Sequence, residues 1–244
     1  MYSKFKNIAK SIIPKSIIQK NEKLIRSLVS LQYRGSRYEC NICGTKLRRF
    51  VVLENGNKLC PRCGSLPRTR RLWELIKDEL SDKTVLHFSP SKSLSDQIVL
   101  SEVKEYITSD YEGEFRADKQ YDIQSIDMHD ECLDIIICYH ILEHIPDDMK
   151  AMNELYRVLR EGGVCYIQTP FKDGEIYENE SIRTPEGRLE HFGQKDHLRV
   201  YSVNGLKSRL EEAGFDIVVL TFNSAEISYG LSLDETVIKA KKRS

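Results

Sequence analysis

Cys40-Asn-Ile-Cys43-Gly44 and Cys60-Pro-Arg-Cys63-Gly64 are two copies of one short pattern, with 16 residues between them. Two residues between thiolates put both sulfurs on one side of a tight turn. A glycine after the second Cys lets the chain double back without strain. Two such turns supply four sulfurs in a tetrahedron, at the spacing of a four-cysteine zinc site. The alternative is a disulfide framework, which belongs to oxidising compartments. Lys4, Lys6 and Lys10 open the chain without a long apolar core or a small-residue cleavage site after them, so the opening does not read as a secretory leader, and the cytosol is expected. Metal is therefore the expected use of Cys40, Cys43, Cys60 and Cys63. A closed four-sulfur site leaves no coordination position for substrate and is structural. Cys132, Cys138 and Cys165 fall in or near predicted strands and read as small core residues.

The formal net charge of zero hides an asymmetry. Residues 1–73 carry 17 basic and 3 acidic side chains; the remainder carries 20 basic and 34 acidic. A basic first third suits an anionic partner such as RNA, a phospholipid headgroup or a phosphorylated substrate, or it docks on the acidic remainder of its own chain. Apolar residues from Phe5 to Val29 recur mostly at spacings of three, four and seven, with Pro14 expected to break the run into two helices. Residues 1–35 are thus expected to be a basic helical arm, packed on the body or lying on an anionic membrane. Residues 36–68 hold the cysteines, and 69–244 the main domain. No apolar run approaches the roughly 20 residues that span a bilayer.

From Thr84 the pattern alternates strand and helix. Val85–Ser89, Glu105–Ser109, Leu133–Tyr139, Val164–Thr169 and Phe215–Phe222 read as strands. The run Leu-Asp-Ile-Ile-Ile-Cys-Tyr at 133–139 has the near-continuous apolar character of a strand buried on both faces. Thr69–Leu80, Asp147–Arg160 and Val203–Ala213 read as helices, the second ended by Gly162-Gly163 and the third by Gly214. The alternation predicts an open parallel α/β sheet.

Asp134-Ile-Ile-Ile-Cys-Tyr-His140-Ile-Leu-Glu143-His144, followed by Glu154-Leu-Tyr-Arg157-Val-Leu-Arg-Glu-Gly162-Gly163, resembles the fourth strand, following helix and Gly-Gly turn of class I S-adenosylmethionine-dependent methyltransferases. Asp122-Ile123 stands where that family places its adenine-contacting acid. Asp110, ending the second strand, stands where it places the acid that holds the ribose hydroxyls. The resemblance covers about residues 80–222 and implies a Rossmann-like fold. The cofactor contacts it implies are Phe88, Ser89, Pro90, Asp110, Tyr111, Asp122, Ile123, Tyr139 and His140. The cysteine ribbon, His-Phe-Ser-Pro at 87–90 and His191-Phe-Gly-Gln-Lys-Asp-His197-Leu-Arg199 resemble more narrowly the zinc-ribbon methyltransferases of bacterial surface-glycan gene clusters. One departure stands out: Ser89-Pro90-Ser91 follows the first strand where the family has a glycine-rich turn.

The residues carry their own chemistry. A carboxylate at a strand's carboxyl end can accept two hydrogen bonds from a ribose diol, and ligands of open α/β sheets bind at that edge. His140-x-x-Glu143-His144 matches the inverted zinc-protease pattern, but that pattern needs a long helix and here follows a buried strand. At i, i+3 and i+4 the three side chains share a face if the turn is helical. They then cap and brace the turn, or hold a divalent metal, as the similar stretch of ubiquinone-biosynthesis O-methyltransferases does with acids at its first two positions. His197, with His191 and Arg199 nearby, is the first candidate for a base that takes a hydroxyl proton, with His140 and His144 behind it.

These readings converge on an enzyme that moves a methyl group from S-adenosylmethionine to a sugar hydroxyl of a surface glycan or its precursor. It is expected in the cytoplasm, with a peripheral position at the inner membrane face as a further expectation. The alternatives are an RNA methyltransferase that uses the basic ribbon on phosphates, and an inactive methyltransferase fold serving as an interaction module.

Overall fold

A computed structural model describes residues 21–223 and 227–243. The expected helix break at Pro14 lies outside them. The described residues divide into two compact units: one holds 21–79, 91–101, 222–223 and 227–235, the other 80–90, 102–221 and 236–243.

In the first unit, helix α1 (Glu22–Leu31) leads into β1 (Arg34–Glu39), which pairs antiparallel with β2 (Lys46–Leu47); β3 (Val51–Val52) pairs antiparallel with β4 (Lys58–Leu59), and the 91–101 segment carries helix α3 (Lys92–Ile98). The two knuckles are built alike. Gly44 donates to the Cys40 carbonyl at 2.7 Å and Gly64 to the Cys60 carbonyl at 2.9 Å. Both glycines take the left-handed conformation, φ 64° and 80°, which any other residue would adopt at a cost. Helix α2 (Pro67–Ile76) begins earlier and ends sooner than the 69–80 expected, with Pro67 in its first turn where a missing N–H costs nothing. Its Arg70 is fully buried. The guanidinium donates to the carbonyls of Lys58, Ser65, Tyr229 and Gly230 at 2.7–2.9 Å and lies 4.3 Å from the Phe50 ring centroid. Those acceptors make burial of the charge tolerable.

The second unit is built on a six-stranded sheet in the order β11-β12-β8-β7-β5-β6. Its strands are β5 (Thr84–Phe88), β6 (Glu105–Ser109), β7 (Leu133–Tyr139), β8 (Leu159–Gln168), β11 (Asp216–Phe222) and β12 (Glu235–Lys241). β5, β6, β7 and β8 run parallel, whereas β12 runs antiparallel to β8. The sheet is therefore mixed, a correction to the fully parallel one expected. β12 was not anticipated: its Val237, Ile238 and Ala240 are fully buried, but Lys239, Lys241 and Lys242 around them mask the pattern. Asp122-Ile123 forms no strand. Instead Lys119 bridges in parallel to Ser109 at the open edge of β6, and Asp122 folds into a turn accepting the Gln124 amide at 2.8 Å.

A second correction concerns Gly162-Gly163. Helix α4 (Asp148–Val158) stops before them, and β8 starts at once. The register against β7 shifts between the pairs Leu133–Leu159 and Ile135–Val164, so the glycines sit in a bulge. Gly162 has φ 73°, and a Cβ on Gly163 would lie 2.9 Å from the Arg160 carbonyl oxygen. Helices α5 (Pro185–Phe192) and α6 (Val203–Glu212), with the short ladder β9 (Tyr177–Glu178) and β10 (Arg199–Val200), fill the stretch between β8 and β11. The core runs from Leu86, Ile136 and Ile167 on the sheet to Met152, Leu155, Leu206 and Leu210 on α4 and α6. No helix among the described residues is long and apolar enough to cross a membrane.

Candidate active site

The carboxyl ends of β5, β6 and β7 bring Ser89, Asp110 and His140 to one edge of the sheet. Two of the three are strained. Ser89 has φ 45° and His140 φ 56°, conformations that non-glycine residues hold only where the surroundings impose them, and that cluster at functional sites. The imposing contacts are visible. The Ser89 amide donates to the Ser109 carbonyl at 2.8 Å and the His140 amide to the Gln168 carbonyl at 2.7 Å. Ser89 thus takes the left-handed turn for which a glycine is the easier choice. Its hydroxyl donates to Asp110 Oδ1 at 2.8 Å, and the Phe115 amide donates to Oδ2 at 2.9 Å. A carboxylate has about four acceptor sites, so the buried Asp110 keeps capacity for a diol. Phe88 and Ile123 are buried beneath this edge and Tyr111 is exposed.

After β7 the chain makes a single short 3-10 turn, Leu142–His144. That is not the long helix of a zinc protease. Glu143 is 1% exposed, and its carboxylate oxygens make no hydrogen bond with the described residues, though His140 Nδ1 stands 3.3 Å from Oε1 as an ion-pair partner. Burial pushes the Glu143 carboxyl up, but His140 and His144 outweigh it and hold it below the usual range. His197 comes in from the other side: its ring packs edge-on to His144 with centroids 4.7 Å apart, and it is 2% exposed. Its Nδ1 lies 3.2 Å from the Phe192 carbonyl. A carbonyl only accepts, so Nδ1 carries the proton and Nε2 keeps a lone pair; Nε2 has no partner among the described residues. Burial lowers the pKa of His197 and favours this neutral form. His144 Nδ1 faces Asp196 Oδ2 at 3.2 Å.

The turn and the His197 loop are stitched together. The Leu198 amide donates to the Glu143 carbonyl at 2.8 Å. Buried Arg199 donates to the carbonyls of Leu142, Ile145 and Pro146 and to Glu178. Arg199 therefore braces the turn and does not itself project into the edge. His191 also departs from its expected place: it is exposed and bonded to the Tyr177 hydroxyl at 2.7 Å.

The family model for a methyltransferase domain matches residues 68–220. The chain belongs to this methyltransferase family. Among curated relatives, a protein of Mycolicibacterium smegmatis named "Probable S-adenosylmethionine-dependent methyltransferase" is 30% identical over 95 residues, 39% of this chain and 33% of the relative. A ubiquinone biosynthesis O-methyltransferase of Psychrobacter arcticus is 27% identical over 103 residues, 41% and 40% of the two chains. The matches thus span a third to less than half of these relatives' length. An S-adenosylmethionine-dependent methyltransferase of Archaeoglobus fulgidus superposes with a TM-score of 0.52 at 18% identity, over 72% of this chain and 93% of that one. One from Mesorhizobium loti gives 0.52 at 11%, over 70% and 97%. These identities speak to the fold alone. In the methyltransferase domain, the antiparallel β12 and the bulge at Gly162-Gly163 are the features that sequence reasoning missed. The positive φ of Ser89 was hidden because nothing local distinguishes a serine forced into it.

The other cluster lies in the cysteine unit. Cys40 Sγ is 3.6 Å from Cys63 Sγ, and Cys43 Sγ 3.8 Å from Cys60 Sγ; all four are free thiols. A zinc ion bound at about 2.3 Å to four tetrahedral sulfurs sets them about 3.8 Å apart, so the donors fit. The Ser65 hydroxyl is 3.3 Å from Cys40 Sγ and 3.2 Å from Cys63 Sγ.

Proposed function

We propose that the protein transfers a methyl group from S-adenosylmethionine to an oxygen acceptor, a sugar hydroxyl of a surface glycan or its precursor. The carrying observation is the edge itself: Asp110 with acceptor capacity to spare, the strained Ser89 and His140 turns, and the Glu143–His144–His197 cluster stitched beside them. Asp110 would hold the ribose hydroxyls, and the Ser89 and His140 turns would let backbone approach the rest of the cofactor. Bound S-adenosylmethionine would supply the methyl carbon that the acceptor oxygen attacks, with S-adenosylhomocysteine as the leaving group, and the lone pair on His197 Nε2 would take the hydroxyl proton. Positioning supplies most of the rate and the imidazole the remainder. Oxygen as acceptor is supported by the likeness to ubiquinone biosynthesis O-methyltransferases, and the sugar by the resemblance of the ribbon and the 191–199 stretch to glycan-cluster enzymes. In the cysteine unit, Cys40, Cys43, Cys60 and Cys63 would hold a structural zinc ion.

Calorimetry with S-adenosylhomocysteine tests the reading. Binding is expected, and Asp110→Ala should weaken it by about 1.5–3 kcal/mol, the range for hydrogen bonds to a charged group. A folded protein that binds no cofactor belongs instead with inactive methyltransferase folds. Affinity unchanged in the variant removes Asp110 from the site.

A further inference from the structure

Helix α1 is amphipathic, and its polar side is the one that packs. At about 100° per residue, Leu24, Leu28 and Leu31 fall on one stripe about 60° wide, with Ile25 at its margin. The three leucines are 61%, 60% and 49% exposed. The opposite side of the helix holds Glu22, Arg26 and the buried Ser30. Arg26 lies against the second cysteine knuckle, where a Cβ on Gly64 would stand 3.1 Å from the guanidinium carbon. Ion pairs from Lys23 to Asp96 and from Lys92 to Glu22 tie the first turn to α3. A ten-residue helix is marginal by itself and ordinarily draws its stability from burying its apolar stripe. Here polar contacts hold the helix and the leucines face solvent. Single exposed apolar side chains are normal, but a row of three on one stripe marks a surface kept for a partner.

The charge carried by the same segment selects the partner. Residues 1–38 hold nine basic side chains and one acidic, Glu22. Arg34 and Arg37 on β1, Lys46 on β2, and Arg48 and Arg49 just after it are all exposed. We propose that this segment docks on a lipid bilayer with anionic headgroups. The leucine stripe of α1 enters the boundary between headgroups and acyl chains, and the basic side chains stay among the phosphates. The combination of leucines and cations favours this occupant over others. A nucleic acid would engage the arginines and leave the leucines in water. A second copy on the same stripe would cover the leucines but bring two basic surfaces together. An anionic bilayer satisfies both at once, and stable attachment of a peripheral protein takes two such signals. The attachment is independent of the methyl transfer proposed above.

Full-length protein is sedimented with vesicles of phosphatidylcholine, alone or mixed with phosphatidylglycerol. Binding to the mixed vesicles only, weakened by added salt, is expected. Leu24→Ser with Leu28→Ser should lower the affinity about tenfold or more, because two side chains lose their transfer from water. Arg34→Gln with Arg37→Gln should lower it about tenfold through lost attraction to the headgroups. Leu28→Trp should keep the binding and move the tryptophan emission to the blue on mixed vesicles; the one native tryptophan, Trp73, is already buried. That shift keeps the test open if the paired serines disturb α1, which circular dichroism of the free variants would register. Equal binding to neutral vesicles, no binding to either kind, or binding indifferent to the leucine pair overturns the proposal. So does a dimer in sedimentation velocity that the leucine pair dissolves, which would give the stripe to a second copy.

Discussion

The cysteine cluster and the Glu143–His144–His197 cluster obtain their geometry in opposite ways. Each cysteine knuckle closes within five residues through one amide–carbonyl bond and one left-handed glycine. Joining two knuckles then takes only a short antiparallel excursion, so little besides the sulfurs and the buried Arg70 organises the site. The edge cluster joins a turn at 143–144 to a residue at 197. A parallel sheet, a helix and the Arg199 brace stand behind it, whatever occupies it. A site made of local turns depends on its ligand for folding energy, whereas a site on the rim of a packed sheet is present before the ligand. Loss of a ligand residue should therefore unfold the one and only silence the other.

The comparison breaks first, and most visibly, at Cys60. The structural zinc proposed for the four cysteines would contribute on the order of 10 kcal/mol of metal-coupled folding energy, and Cys60→Ser should then release about one zinc per chain and melt the cysteine unit. Metal analysis with limited proteolysis checks this; a variant that keeps its fold and its metal would place the folding energy elsewhere. At the edge, His197→Ala should lower turnover by roughly 100- to 10,000-fold, the range for losing a general base. Its unfolding free energy should move by no more than about 2 kcal/mol. Steady-state kinetics and urea titration measured together decide between silencing and unfolding.

Arg199 sharpens the contrast, because it is the edge cluster's counterpart to the knuckle glycines. Arg199→Ala removes the guanidinium's bonds to the carbonyls of Leu142, Ile145 and Pro146 and to Glu178, which keeps Arg209. It should cost about 3 kcal/mol and loosen the turn, which amide exchange at residues 142–146 would register; unchanged exchange would mean the sheet alone holds the turn. The smallest effect per step lies deeper in the sheet. His87 in β5 is buried and bonded to Tyr106, and burial pulls its pKa down from 6.5 to about 3. The folded state keeps it neutral while the unfolded chain takes up a proton below pH 6.5. Its contribution is thus fully present above that pH and falls by about 1.4 kcal/mol per unit as pH drops toward 3. His87→Gln should flatten that slope in urea titrations at pH 4 to 7 and leave the cysteine unit's metal content untouched.

The strands β5, β6 and β7 were legible to within a residue. A central parallel strand is apolar on both faces, and that composition is a local property. Four cysteines in two pairs are equally local, and so was their convergence. So was the placing of Ser89, Asp110 and His140 at strand ends, since strand ends define the carboxyl edge. What the tertiary structure decided are the features whose cause lies far along the chain. β12 inserts antiparallel beside β8 because Val237, Ile238 and Ala240 bury there, and nothing local chooses strand direction. Gly162-Gly163 looked like a helix stop and became a bulge because β7 sets the register of β8. Ser89 is left-handed because the Ser109 carbonyl captures its amide. Arg199 looked like a ligand-edge residue and became the brace of a turn more than fifty residues earlier. His197 meets Glu143 and His144 where the Leu198–Glu143 backbone bond and that brace join the loop to the turn. Periodicity and spacing report what a segment does with its own backbone and faces; hydrogen bonds between distant segments choose among the alternatives that remain.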